Sequence, residues 1–248
     1  MIKLCESADS LDFLPADPFA ARITALFDTY GAGYGFASFW VQSVDGVPSA
    51  AISRVDGCMT LCCLDNADIG EIAEFIGVCG CSDLLCDASV MSALGIEPDD
   101  SSITVRFEGL NEPIGAIAEE CSDMRAVHAL LLECGFKIGS FNSFAADACA
   151  RLNRGTARLA TVCEGGKLQA CAFALFAGRR SVLLGAVATA PEARGRGYAS
   201  GLVKALAADY DKAVFLFCRN DGLEEFYKKC GFCRVGRWAS ATLARPHN

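Results

Sequence analysis

Gly185-Ala186-Val187-Ala188-Thr189-Ala190-Pro191-Glu192-Ala193-Arg194-Gly195-Arg196-Gly197-Tyr198-Ala199 joins an apolar strand to a helix through a loop of alternating arginine and glycine. The first N–H groups of a helix have no partner within it, and the helix dipole adds positive charge there. Glycines permit positive φ and let the backbone approach a ligand closely. Together these features form a cradle for a pyrophosphate. No Gly-Lys-Ser/Thr follows, so this is not a Walker A loop, and the Gly-x-Gly-x-x-Gly spacing of dinucleotide folds is missing. On the physics alone, an ordinary glycine-rich strand–helix turn fits the same residues.

Around this stretch the periodicity predicts helices over 124–134 and 141–153, then strands over 157–163, 168–176 and 181–187. The helix opened by the loop runs over 197–210. A strand at 213–218, a short helix at 223–229 and a last strand to about residue 243 complete this half. The first half has the same order: a helix over 17–30, strands over 37–44, 48–55 and 59–64, a helix over 67–78, a strand at 83–87, a short helix and a strand at 102–107. Asp45-Gly46 and Asp56-Gly57 sit between apolar runs, the signature of tight hairpins. Gly46 corresponds to Gly166, Gly57 to Gly178, and Leu94-Gly95-Ile96 to Cys230-Gly231-Phe232. The agreement in order reads as an internal repeat. The polar segment Asn111-Glu112-Pro113-Ile114-Gly115 is the expected linker, dividing the chain into 1–110 and 111–248.

Arg194-x-x-Gly197-x-Ala199 resembles the Arg/Gln-x-x-Gly-x-Gly/Ala motif of the GCN5-related N-acetyltransferase (GNAT) superfamily. Downstream, Asn220 precedes Tyr227 by seven residues, and Phe226-Tyr227-Lys228-Lys229-Cys230-Gly231-Phe232 is similar to that family's Asn…Phe-Tyr-x-x-x-Gly-Phe segment. The two motifs stand in the family's order and separation. Gly197-Tyr198-Ala199-Ser200-Gly201-Leu202-Val203 is similar to the C-terminal part of glycine N-acyltransferase-like proteins.

The resemblance implies an α/β (α+β) chain of tandem GNAT-like folds, each a mixed central sheet flanked by helices. It implies an N-acetyltransferase with acetyl-CoA as acyl donor and a small-molecule or peptide amine as acceptor; a non-catalytic acyl-CoA-binding module is the alternative. Gly195 belongs to the cradle, and backbone N–H groups of Arg196, Gly197, Tyr198 and Ala199 would hold the pyrophosphate. Val187 and Thr189 would hold the pantetheine arm, and Tyr227 would protonate the leaving thiolate. Arg194 and Asn220 complete the expected cofactor set. On residues alone, Tyr227 also reads as a core aromatic beside Phe226. Many members of the family carry a glutamate near the fourth strand as general base; residues 181–189 hold no carboxylate, and Glu192, Glu224 and Glu225 are the nearest acids. In the first half the matching loop is Leu64-Asp65-Asn66-Ala67-Asp68-Ile69-Gly70, without arginine and with two acids where phosphate would sit. That half is expected to bind no acetyl-CoA, and to pack against the second half as a wall of the acceptor cleft.

Bulk properties narrow the field further. With 52% hydrophobic and 21% charged residues the 248-residue chain has material for real cores. A formal net charge of −8 disfavours nucleic acid. It would attract a cationic substrate, and it is equally a common route to solubility. The fifteen cysteines are odd in number and often lie inside apolar runs such as Leu61-Cys62-Cys63-Leu64. With no apolar signal core at the start, they read as reduced thiols of a cytoplasmic protein, monomer or homodimer. Cys79/Cys81 and Cys230/Cys233 are too far apart, with too few histidines, for a structural zinc site. The apolar run 168–178 is shorter than the roughly 20 residues a membrane span needs.

Overall fold

The computed structural model describes residues 1–110 and 123–243; the linker expected at 111–115 lies outside them. Strands β1 (Ile2–Leu4), β2 (Ala37–Val44), β3 (Val47–Val55) and β4 (Cys58–Cys63) form an antiparallel run, with helix α1 (Pro18–Tyr30) between β1 and β2. Helix α2 (Ile69–Cys79), β5 (Asp83–Asp87), α3 (Ala88–Ala93) and β6 (Asp100–Phe107) complete the first half. The second half opens with two helices where the first has β1 and α1, and repeats the order from the three-strand meander onward: α4 (Met124–Glu133), α5 (Phe141–Asn153), β7 (Arg158–Glu164), β8 (Lys167–Ala177), β9 (Ser181–Thr189), α6 (Tyr198–Ala208), β10 (Ala213–Cys218), α7 (Asp221–Lys228) and β11 (Phe232–Thr242).

The hairpin turns follow from their chemistry. Asp45/Gly46, Asp56/Gly57 and Gly165/Gly166 all take positive φ at both central positions, the backbone that matches strand twist in a two-residue hairpin. Gly178 departs from this pattern, so its correspondence with Gly57 holds in order but not in geometry. Its φ is ordinary, and a Cβ there would lie 2.7 Å from the Cα of Ala21 and 2.5 Å from Thr24 Oγ1. Glycine is required because the β8–β9 turn presses directly on α1.

All strands join one mixed sheet in the order β1-β2-β3-β4-β5-β11-β6-β10-β9-β8-β7. The two central sheets expected from the repeat are therefore continuous. They join by a reciprocal exchange: β11, last of the second half, pairs antiparallel with β5 and β6 of the first. β6, last of the first half, pairs in turn with β10 of the second. Helix α1 lies across the join, where Phe19, Ile23 and Phe27 share a core with Phe176, Leu183, Phe215 and Trp238. The opposite face carries α6 and α7 over Val182, Leu184, Val214 and Leu216. Arg179 in the β8–β9 turn adds ion pairs to Asp12 and to Asp28, the latter at 3.0 Å, and Thr29 shares a buried hydrogen bond of 2.6 Å with Thr156. Among the described residues, no helix is long and apolar enough to cross a membrane, no cluster is suited to a metal ion, and the cysteines are free thiols.

Candidate active site

β9 and β10 run parallel only as far as the pair Leu184↔Leu216. Beyond it β9 stays with β8, reaching Thr189↔Ala170, while β10 departs. The divergence has a local cause. The β8–β9 register slips between Cys171 and Phe173, and Ala186 opposite this slip is held at φ 48°. A positive φ at a residue with a Cβ costs roughly 1 kcal/mol, and the surrounding pairs hold it in place. The result is a fork in the sheet with Val187 inside it.

Helix α6 begins at the mouth of this fork. Gly197 is its N-cap, at φ 82°, and no side chain caps the helix. Gly195 also takes positive φ, 78°, so the turn exposes its backbone without a Cβ in the way. The first N–H groups of α6 thus point to the cleft with the positive end of the dipole behind them. The cleft has a volume of about 570 Å³. Eight of the ten residues expected at the site line it: Val187, Thr189, Arg194, Gly195, Gly197, Tyr198, Ala199 and Tyr227.

The other two stand elsewhere. The Asn220 side chain is the N-cap of α7, accepting from the Leu223 N–H at 2.9 Å; its contribution is to start the helix that carries Tyr227. The Arg196 side chain turns away from the cleft to Glu164, at 2.9 and 3.0 Å. Thr189 lines the cleft, but its carbonyl already accepts from Cys134 Sγ and Arg194 Nε, each at 3.4 Å. Cys134 and Phe136, after α4, also line the cleft. No sequence signal marked them, since only the packing of α4 on β8 and β9 brings them there.

Tyr227 is 5% exposed and borders the cleft, and among the described residues its hydroxyl has no hydrogen-bond partner. Its ring packs on Phe226 and Phe232, as the core reading has it. Burial, helped by the Cys218 and Cys230 thiols, pushes that phenol well above its ordinary range, so it remains a proton donor. The three acids near the fork are engaged elsewhere. Glu192 pairs with Lys167. Glu225 pairs with Lys228 at 2.6 Å. Glu224 is bound by Arg234, with Nε at 2.9 Å, which holds its carboxyl below the usual range. None of them lines the cleft.

The cleft thus brings together an uncapped helix, a forked parallel strand pair and a buried phenol. Residues 124–232 match the model of the Acetyltransferase (GNAT) family. Solved structures share the fold over almost the whole chain. A tandem GNAT protein from the clavulanic acid biosynthesis pathway, solved without AcCoA, superposes with a TM-score of 0.61 at 14% identity, covering 100% of both chains. A GCN5-related N-acetyltransferase from Kribbella flavida gives 0.57 at 13% identity, covering 94% of this chain and 98% of that one. One from Sphaerobacter thermophilus gives 0.55 at 16%, covering 99% and 96%. No curated protein matches the chain by sequence. The family match covers 109 of the 248 residues, and the likeness to the solved structures is one of fold.

Proposed function

We propose that this chain is an acetyl-CoA-dependent N-acetyltransferase acting on a primary amine of a small-molecule or peptide acceptor in the cytoplasm. The observation that carries the reading is the juxtaposition, in one cleft, of the uncapped α6 N-terminus, the β9–β10 fork and the phenol of Tyr227. The N–H groups at the start of α6 hold the donor's pyrophosphate, and the backbone at Val187 receives the pantetheine arm. The amine nitrogen bonds to the acyl carbon as the carbon–sulfur bond breaks, and the departing sulfur takes the Tyr227 proton. With no carboxylate lining the described cleft, the proton on the nitrogen leaves to water, and water returns one to the Tyr227 phenolate.

In this reading residues 1–110 are a degenerate copy without a cofactor site, and residues 111–248 carry the chemistry with a glycine N-acyltransferase-like C-terminal portion. The absence of a carboxylate base among the described cleft residues favours one second reading, an acyl-CoA-binding module without turnover. Release of free CoA from acetyl-CoA across a panel of amines separates the two. Acetyltransfer requires amine-dependent release that Tyr227→Phe reduces; binding without release from any amine would favour the module.

A further inference from the structure

The phosphate loop is held from the side by the tip of the β7–β8 hairpin. At one end Lys167 pairs with Glu192. At the other, Glu164 grips Arg196 through both carboxylate oxygens, at 2.9 and 3.0 Å, and accepts the Tyr198 hydroxyl on Oε1. Arg196 also lies over the Tyr198 ring, 5.0 Å from its centroid. Arg196 stands between the two positive-φ glycines of the loop, and Tyr198 is the first residue of α6 and a wall of the cleft. The Arg196 guanidinium, beside the cradle that Arg194 lines, is thus satisfied by an internal carboxylate, a group that resembles a phosphate in charge and geometry.

We propose that Glu164 is an internal competitor for Arg196, and that a phosphate of the bound donor takes its place. This rests on the acyl-CoA reading of the cleft. In the free protein Glu164 keeps the arginine side chain folded against Tyr198. On binding, the arginine exchanges one anion for another, so its charge contributes less affinity than an unengaged guanidinium would. Glu164 acts through Arg196 and is a positioning residue that weakens donor and product binding.

The test is a double-mutant cycle by isothermal titration with CoA, using wild type, Glu164→Gln, Arg196→Ala and the double variant at two salt concentrations. Glu164→Gln is expected to bind CoA about three- to fivefold more tightly, on the scale of one exposed ion pair. Arg196→Ala should remove most of that gain, and the salt dependence should be steeper for Glu164→Gln than for wild type. Unchanged or weaker binding by Glu164→Gln, with wild type binding normally, would overturn the inference and leave the cleft assignment standing. A gain that persists in full without Arg196 would also overturn it, since the effect would then be plain charge repulsion. No CoA binding by wild type would overturn the cleft assignment and this inference together.

Discussion

Helices α2 and α6 occupy equivalent places in the two halves, each after the third strand of a meander, and they begin in opposite ways. At α2 the Asp68 side chain accepts from the Glu71 N–H at 3.1 Å. Gln42 donates to the Asp68 carbonyl and to Glu71, and its own oxygen accepts from the Asp68 N–H at 3.0 Å. Glu71 also accepts from Ile2 of the edge strand at 2.8 Å. The start of α2 therefore has the Asp68 and Glu71 N–H groups answered by side chains of the protein, with two carboxylates at its positive end. At α6 a glycine stands where Asp68 stands, and no side chain caps the helix. The next helix repeats the contrast. Four residues before Gly95 is Met91, and four before Gly231 is Tyr227; both are buried, and only the second carries a proton to give. One order of elements thus carries a capped helix start in one half and an uncapped one in the other. The difference lies in a few capping residues and one core side chain.

If the halves are unequal in chemistry, they are also inseparable in structure, and the largest expected effect follows from that. A 111–248 fragment lacks β5 and β6, so β11 loses both of its neighbours and β10 loses one. It also loses α1, exposing Phe176, Leu183 and Phe215. Such a fragment should be insoluble or lack a cooperative thermal transition. A soluble, fully active fragment would show that the exchange is dispensable, and the first half would then be an independent module. Next in size, Gly197→Asp puts a Cβ at φ 82° and a negative charge at the α6 N-terminus. CoA affinity should fall by about 100-fold, roughly 2.7 kcal/mol; calorimetry showing a loss of only a few-fold would remove α6 from the site.

Tyr227→Phe should leave the thermal transition in place and lower kcat by about 100-fold, as expected for loss of a positioned acid. Because burial raises the phenol's pKa, this factor should stay constant from about pH 6 to about pH 9. The sign for stability follows from the same shift. Above about pH 10 the unfolded chain releases a proton that the fold retains, so wild type should lose stability there faster than Tyr227→Phe. The smallest effect belongs to the capped helix. Asp68→Ala should cost about 1 kcal/mol of stability, read as a lower melting temperature, without changing CoA affinity. A change in affinity would show that α2 is not the inert partner in the comparison.

Most of the local structure was legible in the sequence because it rests on local rules. The Asp-Gly and Gly-Gly turns fixed the hairpins, and the strands 37–44, 83–87 and 213–218 and the helix 141–153 fall where periodicity put them. The turn that opens α6 was legible too, since Gly195 and Gly197 serve conformations that few other residues adopt. The strand exchange was not. β6 and β11 are each apolar enough to pair with either half, and partner choice is decided by packing across the chain rather than by any residue within the strand. β1 has three residues, too few for a period. Asn220 misled because an asparagine that starts a helix and one that holds a ligand are the same letter. The engagement of Arg196 by Glu164 depends on a hairpin tip more than thirty residues away, which no spacing rule reaches.

The central claim is that one of two equivalent helix starts has been left open for a ligand. Isothermal titration of the full chain with CoA tests it most directly, because stoichiometry counts open sites. The account predicts one CoA per chain, bound as in wild type by Asp68→Ala and about 100-fold more weakly by Gly197→Asp. Two sites per chain, or one site that survives Gly197→Asp and disappears in Asp68→Ala, would contradict it.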